Sequence, residues 1–247
     1  MEIFKSNSKR REILLPLFNW RYLGLVEIKQ ASGYVKSIEG LRRMLLRLEN
    51  DGLVESFIHR YANRKFYCLT KKTFNNYSDD PWYLNSETKD HDAIVSSFLF
   101  QIKDQDFVEK ADLNFPVGFY EIKPEYRIVE PDGYFTGRRY DGKRGIFALE
   151  IELNRKSSSV IESKLEGYYR ATHIDFALYV FNDLSILKAY FRYNQEFLSK
   201  NRIPREKSKI LFCLSDHLGE KEFDFCNMAR VTSNGEFSKF GSLFYAN

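Results

Sequence analysis

The chain has few of the residues that staple small folds or ligate metals. Of its 247 residues only 3 are Cys, 4 His and 6 Pro. Cys68, Cys213 and Cys226 lie far apart, each within an apolar or aromatic run, and no pair has metal-ligand spacing. Reduced core thiols are therefore expected rather than a disulfide framework. His59, His91, His173 and His217 form no His-x-x-x-His pattern, which argues against a zinc site. The Gly-x-Gly-x-x-Gly and Gly-x-x-x-x-Gly-Lys-Ser/Thr patterns are also missing, which argues against a nucleotide-dependent enzyme. No stretch approaches the roughly 18 apolar residues of a membrane helix, and the first residues lack the apolar core of a signal peptide. A cytoplasmic protein without a membrane partner is the expectation. Neither an internal repeat nor a low-complexity run is visible.

What the chain does have is an uneven distribution of charge. The formal net charge is +4, yet residues 1–75 carry 15 Lys+Arg against 7 Asp+Glu. The remaining residues carry 23 against 27. A basic front ahead of a mildly acidic rear points to a polyanionic partner for the front.

In that front segment, Ser8 is a suitable N-cap for a helix through Ile13, Leu14, Leu17 and Phe18, with Pro16 as a local cost. Residues 25–33 read as a second short helix stopped by Gly33. Ser37 caps a third, in which Ile38, Leu41, Leu45 and Leu48 recur at spacings of three and four and share one buried face. Lys36, Arg42, Arg43 and Arg47 occupy the other faces. After Asn50-Asp51-Gly52 a hairpin is predicted over 53–58 and 66–70, with the polar tip His59-Arg60-Tyr61-Ala62-Asn63-Arg64-Lys65.

Three short helices followed by a basic-tipped hairpin, with the closing phrase "NDGLVES … RKFYCLTKK", resemble a winged helix-turn-helix domain over residues 8 to about 75. The resemblance implies double-stranded DNA as partner. The third helix would enter the major groove with Lys36, Arg42, Arg43 and Arg47, while Arg60, Arg64 and Lys65 grip the adjacent backbone or minor groove. A homodimer on paired half-sites is the oligomer such readers often use.

Residues 73–82 break both periodicities and read as linker, giving domains 1–75 and 91–247 with residues 76–90 between them. Asp90 or His91 opens a helix with Ile94, Phe98 and Ile102 on one stripe. Residues 107–130 are interrupted by Pro116, Gly118 and Pro124, so irregular structure or a short strand is expected. Strands follow at 133–136 and 145–153 around the turn Asp141-Gly142. A helix capped by residues 157–159 then buries Ile161, Leu165 and Tyr168 or Tyr169. The apolar run 176–181 suits a central strand, 184–197 a helix, and 210–214 another buried strand. Alternating strands and helices predict an α/β sandwich with a mixed sheet, the whole chain being α+β. No element is predicted after Ser215.

The most informative chemistry lies in residues 131–156. Asp132 precedes one predicted strand, and Glu150 and Glu152 alternate along its neighbour, so both glutamates leave one face. Burying two glutamates there is costly without a cation or good hydrogen bonds. Mg²⁺ or Mn²⁺ would be an economical compensation, and Arg155 or Lys156 a structural one.

Pro131-Asp132, then Glu150-x-Glu152, then a helix, resembles the PD-(D/E)xK nuclease superfamily, whose domain is of restriction-endonuclease-like type. That likeness implies Asp132 and Glu150 as metal ligands and Glu152 where the motif usually has lysine. Lys156 or Lys164 is placed to supply that lysine. The acid often carried by the first helix has three candidates, Glu87, Asp90 and Asp92. The full string, a winged helix, "HD" opening a helix, "PDGYF", "FALEIELNRKS" and "KLEGYY", resembles the replication-relaxation family of plasmids and other mobile elements. It implies a DNA-binding protein acting in replication or transfer, with other replication or transfer proteins as partners. The competing expectation is a Mg²⁺-dependent endonuclease in which Asp132, Glu150, Glu152, Lys156 and Lys164 form the catalytic set.

Overall fold

A computed structural model describes residues 8–76, 88–113, 129–220 and 222–245. The chain divides into two compact units, residues 1–101 with 219–223, and residues 102–218 with 224–247.

The first unit begins with α1 (Ser8–Trp20), β1 (Leu23–Gly24), α2 (Leu25–Ser32) and α3 (Ile38–Asn50). The hairpin strands β2 (Val54–Ile58) and β3 (Lys65–Leu69) follow, then α4 (Lys71–Asn75) and α5 (Lys89–Ile102). Ser37 caps α3 as its sequence requires, accepting a hydrogen bond from the Gly40 amide at 3.2 Å. Leu41, Leu45 and Leu48 are fully buried, and they pack with Ile13, Leu17, Ile28 and Val54. The strands form an antiparallel sheet in the order β1-β3-β2.

Two boundaries depart from the sequence reading. Residues 73–75, read as linker, belong to α4, because the Thr70 hydroxyl accepts from the Thr73 amide at 3.2 Å and nucleates one more turn. The helix that opens near Asp90 groups with the first unit as far as Gln101. Most of the expected linker lies outside the described residues.

The second unit is built on a sheet whose seven described strands run in the order β10-β9-β8-β7-β6-β5-β4. These are β4 (Val108–Asp112), β5 (Gly133–Arg138), β6 (Arg144–Glu152), β7 (Phe176–Phe181), β8 (Ile210–Leu214), β9 (Ala229–Val231) and β10 (Phe237–Lys239). The central three, β6, β7 and β8, are parallel. Both flanks are antiparallel. Parallel neighbours need long crossovers, which α6 (Ser158–Arg170) and α7 (Leu184–Lys200) supply. The mixed sheet with helices is thus the expected α/β arrangement, and β9 and β10 extend it beyond where the sequence predicted any element.

Side chains alternate along each strand. Ala148, Ala177, Tyr179, Phe181 and Phe212 join Ile161, Leu165, Tyr168 and Tyr190 in one apolar cluster. On the opposite face Phe135 stacks on Phe147 with centroids 4.7 Å apart, and Phe244 lies 5.6 Å from Phe147. Residues of even number on β6 therefore face α6, and this alternation delivers Glu150 and Glu152 to the helix side.

Candidate functional site

Asp132 stands at the entry to β5, where its chain is clamped to β6. Its amide donates to the Leu149 carbonyl at 3.0 Å, and its Oδ2 accepts from the Ile151 amide at 2.8 Å. The side chain thereby adds one rung to the β5/β6 ladder and ends up beside Glu150.

Glu150 has no solvent exposure. An isolated carboxylate at such a depth costs several kcal/mol, on the order of the penalty for any buried ion, unless donors meet it. Two donors do, both from α6: the Lys164 ammonium bonds Oε2 and the Tyr168 hydroxyl bonds Oε1. Lys164 and Tyr168 are one helical turn apart, so a single face of α6 presents both. Leu165 and Tyr168 anchor that face in the core, while Lys164 sits at its margin with 21% of its side chain exposed.

Burial, followed by the Asp132 carboxylate, pushes the Glu150 carboxyl up to about 8, against the opposing effect of Lys164 and Tyr168. For Lys164, burial opposes the charged form, but the carboxylates of Glu150 and Asp132 outweigh it and hold the ammonium above the ordinary lysine value. Tyr179, the parallel partner of Glu150 in β7, lies with its ring 6.0 Å from Tyr168, and its buried hydroxyl has no hydrogen-bond partner among the described residues. Burial and then Glu150 push its phenol well up. The result is a carboxyl group that can hold or release a proton near neutral pH, beneath two phenols and an ammonium.

Glu152, two residues on, is also buried, and Lys156 bonds it at 2.9 Å. The Tyr190 phenol, raised first by burial and then by the Glu152 charge, stands beside it. Each glutamate thus has its own lysine, and Lys164, not Lys156, takes the one beside Asp132. Tyr168 was read from the sequence only as core. The signal that could have found it is its position one turn beyond Lys164, facing a strand with a buried acid.

Asp132 and Glu150 offer the hard oxygens that Mg²⁺ accepts, usually one or two carboxylates alongside water. Among the described residues, no group of three or more His, Cys, Asp or Glu side chains is placed to hold a metal ion. Lys164 already balances the Glu150 charge. Of the three candidate first-helix acids, Glu87 lies outside the described residues. Asp90 and Asp92 belong to the first unit, where Asp90 pairs with Arg60 at 3.1 Å and Asp92 with His91 at 3.1 Å.

In the first unit, Lys36, Arg42, Arg43 and Arg47 are all exposed. Arg42 pairs with Glu39 on its own helix, whereas Arg43 and Arg47 have no ion-pair partner among the described residues. Lys65 lies 3.3 Å from Glu49 and over the Tyr67 ring. Arg60 is the outward residue of the hairpin tip, with 79% of its side chain exposed.

Arg64 turns inward instead, contrary to its expected place on the outer surface of the tip. With 9% exposure it pairs with Glu27, which is 1% exposed, and donates to the carbonyls of Gly219 at 2.9 Å and Glu220 at 3.0 Å. Its fork is spent on protein acceptors.

Compared with protein-family models, curated proteins and solved structures, the chain matches none. Among the described residues no helix is long and apolar enough to cross a membrane.

Proposed function

We propose that the first unit is a winged helix-turn-helix reader of double-stranded DNA and the second a restriction-endonuclease-like domain. In this reading the chain acts in the replication or transfer of a plasmid or other mobile element. One observation carries it: α3 buries Leu41, Leu45 and Leu48 while turning Arg43 and Arg47, which have no ion-pair partner among the described residues, to solvent beside a basic hairpin. A helix so held by one face is free to lay the other along a groove, where guanidinium groups meet phosphates and guanine acceptors. Lys36, Arg42, Arg60 and Lys65 extend that basic surface. Replacing Arg43 and Arg47 together by Ala is expected to weaken duplex binding in fluorescence anisotropy and to flatten its dependence on salt. Affinity and salt slope unchanged in the double variant would remove α3 as the reading element.

A second reading, a metal-dependent DNA endonuclease, is favoured by the meeting of Asp132, Glu150 and Lys164 on one end of β6. Lys164 reaches from α6 the neighbourhood that the motif lysine would otherwise supply from the strand. Asp132 and Glu150 would hold Mg²⁺ or Mn²⁺, which when bound supplies charge neutralisation at a phosphate and a more acidic water. Lys164 would steady the negative charge of the scissile group, and Glu152, kept in place by Lys156, would orient water. Nicking of supercoiled plasmid with Mg²⁺ or Mn²⁺, abolished by Glu150→Ala, is the expected result. Intact plasmid across varied DNA substrates would leave the domain a binding or assembly element.

A further inference from the structure

A cleft of about 290 Å³ opens in the second unit where β7 and β8 begin. Phe147, three residues before Glu150 on β6, helps to line it, so it sits toward the opposite end of that strand from the carboxylates. At a strand rise of about 3.3 Å per residue the two places are roughly 10 Å apart along β6.

Its walls combine three kinds of chemistry. Phe191, held edge-on by Phe212 at 5.8 Å, contributes aromatic surface, whereas the Phe176 ring stacks on Phe147 at 5.2 Å and lies under the Arg139 guanidinium at 5.4 Å. Arg139, Arg205 and Arg230 contribute positive charge, against Glu206 as the acidic residue of the lining. Arg139 is answered by Asp141 at 3.4 Å. Arg205 has no ion-pair partner among the described residues, and the half-buried Arg230 meets only hydroxyls there, Ser238 at 3.2 Å and Ser242 at 3.5 Å. Lastly, Gln195 buries its Oε1 with no hydrogen-bond partner among the described residues.

Each feature specifies part of a ligand. Guanidinium groups lacking a carboxylate select a phosphate or similar anion. A flat ring selects a flat ring. A buried carbonyl oxygen without a donor selects an N–H or O–H, since leaving it unmet costs stability. The volume admits a single small molecule and not a duplex. We infer that this cleft binds one nucleotide unit, with its phosphate at Arg205 and Arg230, its base against Phe191, and an amino or hydroxyl group donating to Gln195. The inference is independent of the DNA reading of the first unit and of any cleavage at Glu150. A free nucleotide and the phosphorylated end of a strand share this chemistry.

The test is calorimetric titration of the full chain with AMP, GMP, CMP and UMP, with adenosine as the control lacking phosphate, and with a 5′-phosphorylated hexanucleotide. One saturable site is expected for at least one monophosphate. Loss of the phosphate, or Arg205→Glu at an exposed position where the fold is indifferent, should each weaken it by about tenfold or more, as removal of a charge-assisted hydrogen bond does. Phe191→Leu should weaken it as well, in a chain whose thermal melt is checked in parallel. Tighter binding of the monophosphate than of the hexanucleotide assigns the cleft to free nucleotides, and the reverse order to strand ends. No binding of any probe, or binding that ignores Arg205→Glu, overturns the proposal.

Discussion

Lys164 and Glu150 meet across two elements, the lysine rising from α6 and the carboxylate buried on β6, with Tyr168 closing the other oxygen. The pair lies next to Asp132, so the site places one cation against two acids. Removing a single member should expose that balance.

Lys164→Met is expected to destabilise the chain in urea unfolding, with a loss that grows as pH rises above about 8, where Glu150 would have to ionise in the interior without its counter-charge. Adding Glu150→Gln should recover part of the loss, since a neutral amide needs no such partner. Strictly additive losses in the double variant would mean that the two side chains do not interact.

His59 gives a second expectation. Its ring is fully buried, with Nδ1 accepting from the amides of Tyr61 at 3.1 Å and Ala62 at 2.9 Å and Nε2 at 2.8 Å from the Asp90 carbonyl. A ring that accepts at Nδ1 and donates at Nε2 is neutral, and burial first of all lowers its pKa below the ordinary histidine value. The unfolded chain takes the proton near the ordinary value, so stability is complete above it and lost as pH falls through the lower folded value. For a single proton the slope is bounded by about 1.4 kcal/mol per pH unit. Urea titrations between neutral and mildly acidic pH should show this, and His59→Asn should flatten the profile; equal slopes would dismiss the histidine as its source.

Arg60 and Arg64, neighbours on one hairpin tip, should behave oppositely. Arg64→Ala removes the partner of a buried carboxylate and is expected to destabilise the chain by about 3 kcal/mol. The exposed Arg60 should cost less than about 1 kcal/mol when truncated. In DNA binding measured on folded protein the ranking should invert, with Arg60→Ala the more damaging. Equal stability losses would place Arg64 at the surface.

Gly167 on α6 leaves no room for a side chain, because a Cβ there would run into Cγ2 of Val129. Val129 lies three residues before Asp132, so Gly167→Ala should both destabilise the fold by about 1–3 kcal/mol, as overpacking does, and disturb the Asp132 clamp. A melting temperature at or above that of the parent would show that the segment yields freely.

Much of this architecture was legible because its elements carry strong periodicity. The leucine stripe of α3, the four-spaced apolar positions of α6 and the apolar runs of β7 and β8 each admit one reading. The alternation of Glu150 and Glu152 placed both on one face. What escaped is set by contacts distant in sequence. Arg64 and Arg60 look alike in a basic tip, and only the buried Glu27 decides which turns inward. Tyr168 reads as another core aromatic until β6 is laid beneath it. The strands β9 and β10 are three residues each, too short for any period to register, and they exist because β8 offers them an edge.

Those short strands also govern how the molecule behaves among copies of itself. An open sheet of stacked aromatics presents, at either margin, unpaired backbone groups that could recruit a foreign strand. Among the described residues one margin is β10, only three residues long and ending in Lys239. The other is β4, whose pairing register shifts between Val108 and Lys110 and whose Glu109 is held by Arg138 at 3.0 Å and Arg144 at 2.7 Å. A short stub on one side and a kinked, charged strand on the other make poor templates.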